Sequence, residues 1–326
     1  GSGLEQRRSY IYLEVPAGQG NYVWNDYNGN GVKELNEFEV AAFGYEANYI
    51  RTALPTDDFI SVYRQKASAN VQWRPKNGWL KKVSNVCTLQ WENQTLQPPN
   101  WKWNQMVFAD ASTIQLNQLL RNQFVFNNNS SVWSCGFDVQ QVKNKNALTL
   151  GSEWRTEDKI TSFARWSFVK DWSVQPQYIQ INKQVQSDFL NGRNYQIEEQ
   201  QYKLELLNRT KMQQWFVTPS YVIKTWDQEL PPMRAWHVPV QGRWGEAGKY
   251  AVTAEMAFHQ LWYTGDVMQS LSYDLLEGLT PGRNATWSLQ YQNQAQRLQW
   301  TVQYNGRQSP GRAIVHTGMV QVRMNW

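Results

Sequence analysis

The chain has 326 residues, 32 of them Lys or Arg and 27 Asp or Glu, so its formal net charge is +5. Aromatic residues make up 14% of the chain, which excludes a disordered protein, and two cysteines are too few for a disulfide-stabilised scaffold. The basic excess is too small and too scattered to indicate a nucleic-acid partner, and no run of about 18 apolar residues predicts a transmembrane helix. The composition indicates a β-rich protein whose polar surfaces are mostly neutral.

The sharpest motif lies near the start, where residues 26–37 read DYNGNGVKELNE. This run matches the calcium-loop pattern D-x-[DN]-x-[DN]-G-x5-E at every specified position. Calcium takes about six to eight oxygen ligands, which such a loop supplies at fixed offsets. The predicted ligands are side-chain oxygens of Asp26, Asn28, Asn30, Glu34 and Glu37, together with the backbone carbonyl of Val32.

The flanks of this loop predict a structural Ca²⁺ site rather than a calcium sensor. Residues 21–24 read as a strand instead of an entering helix, and no second loop is available to pair with the first. Two of the three early ligands are neutral amides, which favours filling at extracellular calcium levels of about 10⁻⁴–10⁻³ M. The alternative is an Asn- and Gly-rich turn that binds no metal.

Beyond residue 58, apolar and polar residues alternate almost throughout. In residues 298–304, for example, Leu, Trp, Val and Tyr alternate with Gln, Thr and Gln. A strand places successive side chains on opposite faces, so each such segment has one apolar and one polar face. About fourteen segments, most of them longer than the usual strand of about 5–6 residues, match the tilted spans of a membrane barrel. We therefore predict an all-β protein: a calcium-loop segment over residues 1–57, then an outer-membrane, antiparallel transmembrane β-barrel of about 14 strands over residues 58–326.

The links between these segments alternate in length. Short turns on one rim and long loops on the other are typical of outer-membrane barrels. The link at 94–117 breaks the alternation, because it would be a long insertion on the short-turn rim. Links predicted to be short turns on one rim are 143–146, 169–171, 208–211, 245–249 and 293–297, with 127–131 and 155–159 as short members of the opposite rim.

The predicted barrel leads to specific expectations for several polar and aromatic residues. The polar faces place Glu153, Arg165, Glu255 and Arg323 in the lumen, where we expect ion pairs. The terminal aromatic Trp326 closes an alternating strand, as expected of the signal that outer-membrane assembly machinery recognises. The abundant Trp and Tyr residues are expected to form girdles at the two membrane interfaces. In a soluble lectin-like sandwich, the alternative reading, exposed rings such as Trp101 and Trp103 would stack on sugars.

Several runs of the chain are similar to those of one group of proteins. They are GLEQRR at 3–8, GQGNYVW at 18–24, the calcium loop, NEFE at 36–39, YIR at 49–51, LEGLTPGRN at 276–284 and IVHTG at 314–318. In these runs the chain resembles the C-terminal region of very large surface proteins from Bacteroidota-type bacteria. The resemblance spans almost the whole chain and implies an outer-membrane, cell-surface context without a defined activity. The ending Met324-Asn325-Trp326 keeps the terminal aromatic of that family but changes its neighbours.

Catalytic machinery is not predicted. On the predicted faces the three histidines, His237, His259 and His316, do not converge, and no nucleophile elbow or Cys/His metal spacing is present. Cys87 and Cys135 fall in separate strands and are expected to be free, small apolar residues. We therefore predict that the protein is not an enzyme.

The predicted function is that of a barrel in the outer membrane of a Gram-negative, Bacteroidota-type bacterium. It would anchor, or belong to, a surface-protein export or assembly complex, continuing from a larger polypeptide. Its expected partners are outer-membrane lipid, the barrel assembly machinery, and larger surface proteins or lipoproteins. Two alternatives remain open: a passive pore or solute channel, and a soluble calcium-dependent carbohydrate-binding sandwich.

Overall fold

The protein is described by a computed structural model over residues 2–97, 112–148, 151–188, 194–226, 231–246, 249–265, 270–295 and 298–324. Seventeen strands and one short α-helix are found in these residues, with three 3₁₀ helices at Leu35–Glu37, Gly44–Glu46 and Trp79–Lys82. The strands and the α-helix are named in chain order. They are β1 (Ser2–Glu14), β2 (Tyr22–Trp24), β3 (Phe38–Val40), β4 (Tyr49–Trp73), β5 (Val83–Thr95), β6 (Thr113–Phe126), β7 (Trp133–Leu148), β8 (Gly151–Val169), β9 (Trp172–Ser187), β10 (Tyr195–Arg209), β11 (Gln213–Val217), β12 (Ser220–Thr225), β13 (Met233–Glu246), β14 (Tyr250–Trp262), α1 (Ser270–Leu276), β15 (Gly282–Ala295), β16 (Leu298–Gln308) and β17 (Val315–Met324).

The strands form one continuous antiparallel sheet. From β4 to β17, each strand pairs with its neighbours in chain order, and β1 pairs with β4. Strands β11 and β12 both lie between β10 and β13 and form one strand interrupted at Pro219, which cannot donate a backbone hydrogen bond. Without the three-residue strands β2 and β3, the sheet has about fourteen strands. The predicted all-β, antiparallel fold is confirmed.

The predicted turns at 143–146 and 155–159 are wrong, because both stretches lie inside strands. Residues of β7 and β8 pair continuously from Trp133–Trp166 to Leu148–Gly151. Polar side chains can occupy strand positions that face water, so the polar run 143–146 carries no turn. With one hairpin fewer, the link between β5 and β6 falls on the rim of the long loops. The apparent exception in the alternation is thereby removed.

The two rims of the sheet are defined by these links. The long-loop rim carries the links β5–β6, β9–β10, β12–β13 and β14–β15, and it also carries the two-residue link between β7 and β8. The short-turn rim carries the links β8–β9, β10–β11, β13–β14 and β15–β16, each two or three residues long, and also the longer links β4–β5 and β6–β7. The link at 127–131 therefore lies on this rim, and its predicted place on the opposite rim is wrong. The end of β17 lies on this same rim.

The predicted boundary between residues 57 and 58 falls inside strand β4, which is continuous from Tyr49 to Trp73. Because β1 pairs with the first half of β4, the first residues belong to the main sheet. We call the sheet formed by β1 and β4–β17 the wall. Residues 15–48 lie between β1 and β4 and are called here the N-terminal segment. It contains the calcium-loop motif and strands β2 and β3, and it leaves the sheet at the long-loop rim.

The sheet is strongly curved around α1. Lys183 of β9 bonds to Asp274, while Arg307 of β16 donates to the carbonyl oxygen of Gly278. Strands β9 and β16 are six strand spacings apart, which would be about 29 Å in a flat sheet. Two residues so close in sequence can contact both strands only if the sheet curls round them. Side chains that contact α1 therefore lie on the concave face. Within the described residues, no helix is long and apolar enough to cross a bilayer.

Candidate functional site: a filled lumen and an oxygen-rich loop

The convex face of the sheet is apolar and exposed. On β13, β14 and β17 the exposed fractions are 47% for Trp236, 51% for Phe258 and 63% for Val322. Soluble monomers rarely expose contiguous apolar patches larger than a few hundred Å², so a face of this extent indicates contact with lipid or protein. Further exposed members of the same face are Trp133, Phe137, Val139, Ile160, Trp166, Phe168, Tyr202, Leu204, Met256, Trp262, Leu289, Val302, Tyr304 and Val320.

Aromatic side chains on the convex face lie near both rims and also along the middle of the strands, where Tyr202 and Tyr304 are central in β10 and β16. Trp215 and Trp244 meet near the short-turn rim with ring centroids 4.8 Å apart, and Tyr291 and Trp300 meet there at 4.9 Å. Trp236 lies towards the opposite rim of β13, eight residues from Trp244. Eight residues span about 27 Å along a strand, or about 20 Å across the membrane at the usual tilt. That spacing is comparable to the apolar band of an outer-membrane barrel.

Helix α1 is held on the concave face by ion pairs, among which Lys224 is the buried member. The ammonium group of Lys224 on β12 lies 2.7 Å from Glu277 and 3.5 Å from Glu199, and its side chain is only 4% exposed. Asp274 pairs with Lys183 at 2.5 Å and accepts a hydrogen bond from the hydroxyl group of Tyr195. These contacts join α1 to β9, β10 and β12.

The carboxylates of Asp274 in α1 and of Glu277 directly after it remain ionised in this environment. Burial acts to raise the pKa of Asp274, but the charge and hydrogen bond of Lys183 and the hydrogen bond of Tyr195 outweigh it and lower the pKa. Burial likewise acts to raise the pKa of Glu277, and the adjacent Lys224 reverses the effect. Both groups are therefore charged at neutral pH and bind α1 to the wall as ion pairs.

An apolar cluster completes the contact between α1 and the wall. Leu276 and Leu279 pack with four buried wall residues, and Phe43 of the N-terminal segment packs against the same cluster. The N-terminal segment and α1 thus share one small core inside the curved sheet. The wall residues of this cluster are Val222, Met233, Ala235 and Leu261.

The N-terminal segment is clamped directly to α1 and to the far end of the sheet. The hydroxyl group of Tyr273 donates to the carbonyl oxygen of Val40 at 2.7 Å and accepts from the amide of Ala42 at 2.6 Å. Glu46 forms a salt bridge with Arg307 on β16 at 3.0 Å. The described part of the lumen is thus occupied by two segments that enter from the long-loop rim.

A cavity remains between the N-terminal segment and the wall formed by β14–β17. Its volume is about 450 Å³. The wall contributes mostly neutral polar side chains, among them Thr286, Ser288, Gln303 and Asn305, with one carboxylate, Glu255. Residues of β17 and of the N-terminal segment both line this cavity, so the two ends of the sheet approach the same segment.

The calcium-loop motif is folded into a tight turn by its own side chains. Asp26 accepts hydrogen bonds from the amides of Asn30 and Gly31 at 3.2 and 2.9 Å, and Asn30 accepts from Val32 at 2.6 Å. Gly31 has a φ of 71°, in the left-handed region where glycine carries no steric cost. The chain therefore reverses at the sixth loop position, as the sequence pattern requires.

Glu37, at the last position of the loop, is the residue that most clearly suits a cation. It is fully buried, and its Oε2 accepts from the indole nitrogen of Trp24 at 2.8 Å and from the amide of Glu34 at 3.3 Å. Its Oε1 is buried without a hydrogen-bond partner. A buried carboxylate oxygen with no partner carries a large desolvation cost that a bound Ca²⁺ would offset.

The remaining predicted ligands lie around the same turn. Glu34 accepts from the amide groups of Asn28 and Asn30 at 3.4 and 3.3 Å, so its carboxylate closes over the third and fifth loop positions. No group of three His, Cys, Asp or Glu side chains in the described ranges is placed to hold a metal. A site here would depend on mixed carboxylate, amide and carbonyl oxygens, the donor set that Ca²⁺ tolerates.

The polar residues predicted to face the lumen share the concave face but have separate, local partners. Glu153 pairs with Arg155 at 3.0 Å, and Glu255 accepts from Gln241 at 3.5 Å. Arg165 donates to the carbonyl oxygen of Ser130 at 3.5 Å. Arg323 lies opposite Gln299 in the β16–β17 register. Trp326, Trp101 and Trp103 lie outside the described residues.

The prediction that no two histidines converge is wrong. His237 and His259 are cross-strand partners, with Nδ1 atoms 2.7 Å apart, and His259 also contacts the hydroxyl group of Thr286 at 3.2 Å. Both lie eleven residues from the centre of the β13–β14 hairpin, so counting outwards from the turn would have paired them. His316 instead contacts the hydroxyl group of Tyr304 at 2.8 Å. Cys87 and Cys135 are both free.

The cluster around α1 was not predicted from sequence. Lys224 and Lys183 look like ordinary polar strand residues, and Asp274 and Glu277 lie in a long link. The available signal was the apolar run Leu275, Leu276 and Leu279, which is unusual for an exposed loop. Apolar residues in a long link indicate that the link folds against something.

Comparison with known proteins gives fold-level similarities alone. No known protein family matches the chain, and no curated protein sequence is significantly similar. Among solved structures, the chain is similar to a Pseudomonas aeruginosa FadL homologue at 11% identity and a TM-score of 0.37, over 94% of this chain and 80% of that one. It is also similar to the outer membrane channel DcaP of Acinetobacter baumannii at 8% identity and a TM-score of 0.37, over 99% and 96% of the two chains.

Proposed function

We propose that this protein is an outer-membrane β-barrel whose lumen is filled by its own N-terminal segment and α1. In this role it anchors, or is a component of, a surface-protein export or assembly complex. The observation that carries the proposal is the combination of an exposed apolar convex face with a concave face occupied by two ion-paired segments. The resemblance to Bacteroidota surface proteins supports the cellular context, with lipid, assembly machinery and larger surface proteins or lipoproteins as partners. The proposed role is not enzymatic.

Placing a charge on the convex face tests the membrane location. Met256 lies midway along β14 with its side chain 45% exposed. We expect Met256→Arg to destabilise the folded barrel in lipid vesicles by about 2–4 kcal/mol, because a charge at the bilayer midplane loses its hydration. The measurement is urea unfolding in vesicles, followed by tryptophan fluorescence and by heat-modifiable gel mobility.

The matched control is Glu255→Arg, one residue away on the concave, water-accessible face. It introduces the same side chain and is expected to change stability by less than about 1 kcal/mol. Equal effects of the two variants, or a chain that is soluble without detergent, would rule out the membrane barrel. The leading hypothesis would then be a soluble calcium-dependent carbohydrate-binding module.

We also propose that the loop at 26–37 holds a structural Ca²⁺ ion. Support comes from the turned loop and the unpartnered Oε1 of Glu37. Because the indole of Trp24 donates to Glu37, it lies next to the proposed ion and should transfer energy to Tb³⁺ bound in its place. We expect Tb³⁺ luminescence excited through tryptophan, displaced by Ca²⁺ with a dissociation constant of about 10⁻⁴–10⁻³ M. Asp26→Ala should abolish this signal, whereas Glu14→Gln, an exposed acid outside the loop, should leave it unchanged.

A solute channel is the second candidate, favoured by the polar cavity beside β14–β17. Neutral amide and hydroxyl groups line it, as expected where small polar molecules pass. Open conductance of the wild-type protein in calcium-containing planar bilayers would favour the channel. A closed lumen together with co-purification of large surface proteins would favour the anchor.

A further inference from the structure

We propose that calcium occupancy of the loop at 26–37 decides whether the N-terminal segment stays docked on α1 inside the curved sheet, so that the site acts as a calcium-dependent latch on the barrel. This inference rests on the calcium site proposed above. It goes beyond that proposal by assigning the ion control over the lumen as well as a structural role.

The last proposed ligand is fixed to the barrel wall by the residue that follows it. Phe38 is buried and stacks on Tyr12 of β1, with ring centroids 4.0 Å apart and planes within 3°. It also meets Tyr49 of β4 edge-on at 5.0 Å. Because one peptide bond joins Glu37 to Phe38, a movement of Glu37 also disturbs the packing of Phe38 against β1 and β4.

The next residues carry this coupling to α1. Within five residues of Glu37, the backbone of Val40 and Ala42 holds the hydroxyl group of Tyr273 from both sides. Phe43 then enters the apolar cluster with Leu276, and Glu46 reaches Arg307 on β16. These contacts of the N-terminal segment with α1 and β16 all lie within nine residues of the proposed metal ligand.

Loss of the cation would destabilise the buried position of Glu37, the residue from which these contacts follow. Glu37 keeps an unpartnered carboxylate oxygen in a fully buried position. Without Ca²⁺, this oxygen pays its full desolvation cost. Moving Glu37 into water would then lower the free energy of the protein. Because Phe38 and Val40 follow Glu37 closely in the chain, this movement would break the hydrogen bonds of Val40 and Ala42 with Tyr273.

Release of the clamp has a defined consequence for the lumen. The N-terminal segment enters from the long-loop rim, so its withdrawal would break the pairing of Tyr22 with Tyr49 but no pair among the strands from β4 to β17. The cavity beside β14–β17 would then join the space vacated by the N-terminal segment. The lumen is expected to be closed in calcium and conducting in its absence.

The test combines two readouts on the full chain in planar bilayers and vesicles. Tb³⁺ luminescence through Trp24 reports binding, and single-channel conductance reports the lumen. For the wild type at about 1 mM Ca²⁺ we expect a closed lumen, and addition of EGTA should raise the open probability about tenfold or more. Glu37→Gln should lose the Tb³⁺ signal and conduct even in calcium.

Two further variants separate the latch from a general loss of structure. Tyr273→Phe keeps every proposed ligand, so it should retain Tb³⁺ luminescence yet conduct with or without calcium. Glu14→Gln changes an exposed acid paired with Lys33 and should match the wild type in both readouts. Heat-modifiable mobility shows that each variant has formed its barrel.

The outcomes distinguish the two proposals. Tb³⁺ binding with a conductance that ignores EGTA overturns the latch and leaves the calcium site standing. Absence of Tb³⁺ binding removes the calcium site itself, and the latch falls with it. Conductance that responds to EGTA equally in the wild type and in Glu37→Gln places the effect elsewhere and also overturns the latch.

Discussion

Replacing Lys224 with Met is expected to lower the free energy of unfolding by about 3–5 kcal/mol, the range found when one partner of a buried ion pair is removed. Lys224 neutralises Glu199 on the wall and Glu277 next to α1, and its side chain is almost fully buried. The methionine side chain fills a similar volume but leaves both carboxylates without a counter-charge. Urea unfolding in vesicles, with tryptophan fluorescence as the probe, measures the change.

The matched control is Lys249→Met. Lys249 pairs with Glu246 at the same 2.7 Å as the Lys224–Glu277 pair, but the Lys249 side chain is 68% exposed, whereas that of Lys224 is 4% exposed. Exposed pairs contribute about 0–1 kcal/mol, so this variant should be close to the wild type. If both lysine variants lost equal stability, the buried ion pairs would not be what holds α1 to the wall.

Truncating Leu276 to Ala is expected to weaken the docking of α1 by about 2–5 kcal/mol, because it opens a cavity in the shared core. Leu276 is 4% exposed and packs among wall residues from β12, β13 and β14. Hydrogen exchange of the α1 amides should accelerate by the corresponding factor. Strand amides on the opposite side of the sheet, in β6 and β7, should be unaffected.

Leu35→Ala provides the comparison for this truncation. Leu35 lies in the calcium-loop motif but is 43% exposed, so the same change removes little buried surface. Its effect on α1 exchange should be negligible. Unchanged exchange in Leu276→Ala would show that the apolar cluster does not hold the helix in place.

Strand periodicity predicted the wall of this protein because each wall residue has only two environments. On β14, for instance, Met256 and Phe258 alternate with Glu255 and Ala257, and the convex and concave faces follow that alternation. The pattern was less informative about where strands end. A lumen-facing polar residue and a turn residue look alike in sequence, which explains the misplaced turns in β7 and β8.

The occupied lumen could not be predicted in the same way. Its contacts join Lys183, Lys224, Asp274 and Arg307, which come from four separate elements and are brought together by the curvature of the sheet. Neither local propensity nor periodicity carries this information. The calcium-loop motif could be found because all its proposed ligands are local in sequence.

The hydrogen bond between Ala42 and Tyr273 closes a chain separation of 231 residues. Contacts of such large sequence separation form late, because the entropy of closing the intervening loop must be offset by structure already in place. Most of the wall between β4 and β14 must therefore be assembled before the two segments can meet. The sheet is therefore expected to pass through a folding stage in which its strands are paired and its concave face is still uncovered.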